Sequence, residues 1–229
     1  MPPDGPSLVA AHPAVEPLLD ARAGAQRARL LEGMTQAVAE KGYAAATVAD
    51  AVRAARVSRG TFYALFASKE DCFLEAYRHG VDVLVERIRA AVRAEPGDWL
   101  ARLRAGMRAY LETLASEPRF ARSHLVEIHA AGPRAQAARD AALRLFADRY
   151  RSSFRAALRE REGLLMPSDD ALFVLAAGVD QLVCARLRAG GLADAALGDL
   201  EDRLVGIAVA LLEGVAAAHG PTTTTDGGR

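Results

Sequence analysis

Long apolar runs are missing from this sequence. A membrane-spanning helix needs about twenty consecutive apolar residues, and no stretch approaches that length. The leading MPPDGPSLVAAHPAVEP has no basic segment and is broken by proline, so it does not read as a secretory signal. Cysteine is scarce too. Cys72 and Cys184 stand far apart without the spacing of a zinc or redox pair, which excludes a disulfide framework. A soluble, reducing, cytoplasmic setting is the expectation. Runs of alternating β-branched residues are also lacking, and that excludes an extensive sheet. Lysine occurs only at Lys41 and Lys69, so arginine supplies nearly all the positive charge. Formal net charge is zero, which argues against a generic binder of polyanions. Nucleophile–base pairs, glycine-rich phosphate loops and His/carboxylate metal motifs are absent as well, so nothing supports an enzyme or implies a cofactor.

What is present is helix-forming material. The chain is 51% hydrophobic and 25% charged, carried by Ala, Leu, Val, Arg and Glu, most of which favour helices. Residues 1–20 and 220–229 are rich in Pro or in Thr and Gly and read as disordered ends. Between them the 3.6-residue period is nearly continuous. It predicts about nine helices: 21–41 ending at Gly42, a short one capped by Thr47, 59–65 capped by Ser58, and a long one capped by Ser68 and stopped by Pro96-Gly97. Then follow 98–116, 119–130, 134–161, 169–189 and 199–219. The expectation is all-α, with an N-terminal three-helix unit over 21–80 and a helical body over 81–219.

Charge is uneven along this frame. Residues 21–70 hold Arg22, Arg27, Arg29, Lys41, Arg53, Arg56, Arg59 and Lys69 against Glu32, Glu40, Asp50 and Glu70. A small basic module is joined to a near-neutral body. Within that module, Thr47–Phe66 (TVADAVRAARVSRGTFYALF) has the spacing of a helix-turn-helix. Phe62 and Phe66 lie four apart, share a face, and can bury against Leu30 and Met34. Arg59, Gly60, Thr61, Tyr63 and Ala64 are left to the outer surface. A recognition helix reads base edges mainly with its N-terminal residues; Arg59 can take guanine bidentately, and Thr61 offers a hydroxyl and a methyl. Tyr63 and Lys69 suit phosphate. The candidate DNA-binding set is thus Thr47, Arg56, Ser58, Arg59, Gly60, Thr61, Tyr63, Ala64 and Lys69.

Residues 22–80, and VSRGTFYALFASKED above all, resemble the DNA-binding domain of TetR-family transcriptional regulators. The resemblance rests on Gly42, Thr47, Asp50, Val57, Ser58, Gly60, Thr61, Phe62, Tyr63, Phe66, Ser68, Lys69, Glu70 and Phe73. It implies a homodimer assembled by helices 169–189 and 199–219, a pseudo-palindromic operator in double-stranded DNA, and a body cavity for a small hydrophobic or amphipathic effector. A ligand-responsive repressor follows, with a same-fold regulator lacking an effector as the alternative and an all-α enzyme as a remote one. Three departures from the pattern stand out. Arg56 stands where the turn normally has glycine, at a cost of roughly 1–2 kcal/mol if left-handed, and adds charge near DNA. Ala51-Val52 changes the packing of the second helix, and Ala64 removes a polar side chain.

The body is less explicit. Met107, Tyr110, His124, Phe146, Tyr150 and Gln181 are the candidate cavity residues, because polar-tipped groups on apolar faces are what small-molecule sites use. The same periodicity also makes plain core. His124 and His129 lie five apart with Glu127 between them, not a same-face metal spacing, and Trp99 reads as a packing anchor.

Overall fold

The computed structural model describes residues 21–192 and 194–218; the expectations for 1–20 and 220–229 lie outside them. Nine α-helices are present among the described residues and no strand. They are α1 (Ala21–Lys41), α2 (Val48–Ala55), α3 (Arg59–Leu65), α4 (Lys69–Ala94), α5 (Trp99–Ser116), α6 (Pro118–Ala121), α7 (Pro133–Glu160), α8 (Asp169–Ala189) and α9 (Asp194–Ala218). No described helix is long and apolar enough to cross a membrane.

The helix starts are chemically explicit. Thr47 and Asp50 form a reciprocal capping box at α2, satisfying two backbone donors that the helix leaves open. Ser58 accepts from the Thr61 N–H at 3.0 Å, Ser68 from the Asp71 N–H at 3.1 Å, and Asp98 from the Ala101 N–H at 2.9 Å. Each such cap is worth about 1 kcal/mol. Asp50 also receives the Lys41 ammonium at 2.6 Å. With Thr47, this holds its carboxyl down at about 2.

Two apolar clusters organise the helices. The first joins Leu30, Met34 and Val38 of α1 to Phe62 and Phe66 around α3 and to Phe73 and Leu74 of α4. The second joins Leu103, Leu111 and Leu114 of α5 to Phe154 of α7, Leu172 of α8 and Leu204 and Leu212 of α9. Helix α4 serves both, since Tyr77 and Val81 lie in the first and Val83 and Leu84 in the second. The first cluster also takes in Ile128, Ala131, Ala135 and Ala142, so the N-terminal unit is seated on the body rather than hung from a linker.

Two elements differ from the sequence reading. The expected helix 119–130 is a single α-turn, α6, then a π-turn over Arg122–Val126 and a 3₁₀ turn over Glu127–Ala130. The Glu127 N–H reaches back to the Arg122 carbonyl. Widening the spiral by one residue turns Phe120, Ser123, His124, Leu125 and Ile128 all inward, a wider arc than a regular α-helix buries. Helix α9 begins at Asp194 rather than Asp199, because Ala195, Ala196 and Leu197 favour helix strongly enough to extend it.

Candidate nucleic-acid interface and body cavity

Helix α3 is short and cannot be stable alone; its placement comes from its inner face. Phe62 is wholly buried and Phe66 nearly so, their rings 5.6 Å apart. The Arg27 guanidinium lies 5.0 Å from the Phe66 ring and pairs with Glu75 of α4. Pinned from behind, α3 leaves Arg59, Gly60, Tyr63 and Ala64 exposed. Tyr63 is 51% exposed, an unusual position for a large aromatic. The Arg59 guanidinium lies over its ring at 5.8 Å, and no carboxylate pairs with Arg59 among the described residues. The outer face of α3 therefore carries an uncompensated cation beside a phenol.

The turn before α3 contributes a second cation. Arg56 is left-handed, with φ 53° and ψ 46°, and its N–H closes α2 by bonding to the Arg53 and Val52 carbonyls. It is exposed and unpaired among the described residues. Arginine has thus taken the glycine conformation without rebuilding the turn.

Three other candidates are engaged locally. The Thr47 hydroxyl donates to Asp50 Oδ2 at 2.7 Å, and the Ser58 and Thr61 hydroxyls are 2.8 Å apart. Lys69 is turned inward: Nζ donates to the carbonyls of Tyr43 at 2.7 Å and Ala46 at 3.0 Å and lies 4.2 Å from the Tyr43 ring. Burial pushes its pKa down. Two of three donors are spent on the α1–α2 connection, so Lys69 is first a structural tie, a role its sequence context does not reveal.

The body encloses a cavity of about 420 Å³ between α4, α5, α7 and α8, within the size range of small-molecule sites. Met107, Tyr110, Phe146 and Tyr150 line it. Burial pushes both phenols well above their ordinary range, so they are neutral hydroxyls. Two of the expected residues lie elsewhere. His124 is 3% exposed, with Nε2 3.2 Å from the Ala76 carbonyl and its ring against Phe120 and Tyr77. The π-turn aims it at α4 instead of the cavity. Gln181 is exposed on α8, one residue past Asp180, which does line the cavity.

The sequence reading misses the cavity's arginines, Arg89, Arg93, Arg102 and Arg149. A signal exists: Phe146, Arg149, Tyr150, Ser153 and Ala156 follow a helical face. Both cysteines are buried, and burial pushes the Cys72 thiol far up, so neither is a reactive thiolate.

Comparison with known proteins agrees with this geometry. Residues 30–76 match the model of bacterial regulatory proteins of the tetR family. No curated protein matches the chain. Among solved structures, the fatty acid degradation regulator FadR of Bacillus halodurans is similar, with TM-score 0.66 and 19% identity over 78% of this chain and 97% of its own. FadR from Bacillus subtilis in complex with stearoyl-CoA has TM-score 0.61 and 16% identity over 84% and 98%. SCO4454, a TetR-family regulator from Streptomyces coelicolor, has TM-score 0.61 and 18% identity over 84% and 90%. At these identities the structures establish a shared fold, and the family match falls on the segment that builds α1 to α4. The N-terminal segment, residues 30–76, thus matches the tetR-family model, and the chain as a whole shares the fold of these solved regulators.

Proposed function

We propose that the protein is a homodimeric repressor, acting in the cytoplasm, that releases a pseudo-palindromic operator when a small amphipathic effector enters the body cavity. One observation carries the reading: α4 belongs to both ends of the coupling. Its first turns join the apolar cluster that holds α1 and α3 through Cys72, Phe73 and Leu74, and its last turns line the cavity through Ile88, Arg89, Val92 and Arg93. A ligand that displaces the far end of a rigid helix moves the near end as well, and with it the angle of α3. Couplings of this kind are typically worth about 1–3 kcal/mol.

Arg59 and Thr61 read base edges in the major groove, while Arg56, Ser58, Tyr63 and the remaining donor of Lys69 hold phosphates. Gly60 and Ala64 let the backbone approach, and Thr47 lies at the rim. Dimerisation through α8 and α9 is supported by exposed apolar side chains there, with Val174 68%, Leu182 46% and Ile207 46% exposed; surface of this kind marks a contact. Two heads so joined would meet half-sites about 34–36 Å apart, or a multiple of that. The effector reading draws support from the stearoyl-CoA complex of the Bacillus subtilis FadR.

The test is fluorescence anisotropy of the full chain on its own upstream DNA, followed by a screen for compounds that release it. The expected result is a dimer-stoichiometry complex whose log affinity falls linearly with log salt and which a cavity ligand dissociates. A monomeric complex, or a cavity ligand without effect on DNA, would reject the proposal.

A further inference from the structure

The cavity walls are apolar over most of their area, with Ile88, Val92, Leu103, Met107, Phe146 and Val179 contributing. The charges set among them do not balance. Arg102 is paired with Glu160, and Asp180 with Arg139. Arg89 and Arg93 share a single carboxylate, Glu86, at 3.5 and 2.8 Å. Arg149 has no carboxylate partner among the described residues, and its Nε is buried without a hydrogen bond. The lining and its ion-pair partners therefore keep about two positive charges in excess. A buried guanidinium N–H left open is costly, and an anion is the partner that its geometry fits. Ser153 and Tyr150 line the same cavity with their hydroxyls, while the Ser152 hydroxyl donates to the Asp148 carbonyl at 2.9 Å.

Volume limits the rest of the ligand. At roughly 30 Å³ per water-sized group, 420 Å³ admits a body of about a dozen non-hydrogen atoms. That is shorter than the long acyl chain of the ligand in the Bacillus subtilis complex.

Building on the effector reading, we propose that the cavity selects an amphipathic anion: an apolar body of about this size between α4, α5 and α7, ending in a carboxylate- or phosphate-type group held by Arg149. The Ser153 hydroxyl donates to the same oxygens, and the excess charge of the Arg89–Arg93 pair favours the anion.

Isothermal titration of the full chain with decanoate, 1-decanol and decanoyl-coenzyme A tests this. Decanoate is expected to bind at least tenfold more tightly than the neutral alcohol. Arg149→Ala erases that preference by weakening decanoate binding at least tenfold, and Arg149→Lys restores part of it. Equal binding of acid and alcohol, a preference that survives Arg149→Ala, or no binding of either acid or thioester overturns the proposal. Binding of the thioester alone, lost in Arg149→Ala, keeps the anion and assigns it to the carrier's phosphates; binding of the thioester indifferent to Arg149 rejects it. Operator release separates the two readings. A neutral ligand that releases DNA sinks the anion and leaves the effector, whereas decanoate binding through Arg149 with DNA unaffected does the reverse.

Discussion

The imidazole of His124 occupies the space that a side chain on Gly80 would need. A Cβ at position 80 would stand 2.5 Å from His124 Nε2 and nearer still to a ring carbon of Phe120. This contact joins α4 to the π-turn and so holds the N-terminal unit against the body. Gly80→Ala inserts a methyl between packed rings, and overpacking costs about 1–3 kcal/mol, more than alanine's helix preference returns. The expected outcome in urea unfolding is a lower midpoint with unchanged slope.

The same imidazole makes stability depend on pH. Burial lowers its pKa from 6.5 to about 4, so between those values the unfolded chain binds the proton and the folded chain does not. Its stabilisation is complete above the unfolded value and is lost as pH falls from about 6.5 towards 4. By pH 5 the loss is about 2 kcal/mol, at roughly 1.4 kcal/mol for each tenfold difference in proton affinity. Urea melts of wild type and His124→Gln at neutral pH and at pH 5 measure it, the wild type losing more stability than the variant. Parallel pH profiles would remove the assignment.

Arg56→Gly separates folding from binding. Glycine removes the left-handed penalty of about 1–2 kcal/mol and returns about 0.5–1 kcal/mol as unfolded-state entropy. A small rise in melting temperature is expected. If Arg56 also meets a phosphate, the variant binds every DNA sequence more weakly, and its salt slope drops by about one.

Lys69→Ala should act on both properties at once. It releases the Tyr43 and Ala46 carbonyls, costing about 1–3 kcal/mol in a thermal melt, and it weakens all operators alike.

Arg59→Ala should leave the fold intact, because its side chain is exposed and lies over the Tyr63 ring. Its signature is relaxed preference at one base position, worth about 1–3 kcal/mol. Tyr63→Phe, by contrast, weakens binding without changing preference. Competition binding against a panel of single-base operator variants reads both, and an unchanged preference for Arg59→Ala would remove its base-reading role.

The helices are legible in the sequence because their signals are local: Thr47, Ser58, Ser68 and Asp98 each cap with a side chain three residues from its donor. The four-residue spacing of Phe62 and Phe66 suffices to turn both inward. Lys69 is less legible, because its partners lie 26 and 23 residues earlier in the chain and a surface lysine looks the same in sequence. His124 defeats the reading for a different reason. A π-turn rotates everything after it, and periodicity assumes a constant turn.

Capping, propensity and the 3.6-residue period act over a few neighbouring residues, so the all-α class, the helix order and the turn into α3 are written into the chain directly. Three features are not: Arg149 goes uncompensated among the described residues, Lys69 faces inward, and α4 reaches from the N-terminal cluster to the cavity. Those arise in the folded molecule, from which distant groups meet across helices and which charges burial leaves without a counter-ion.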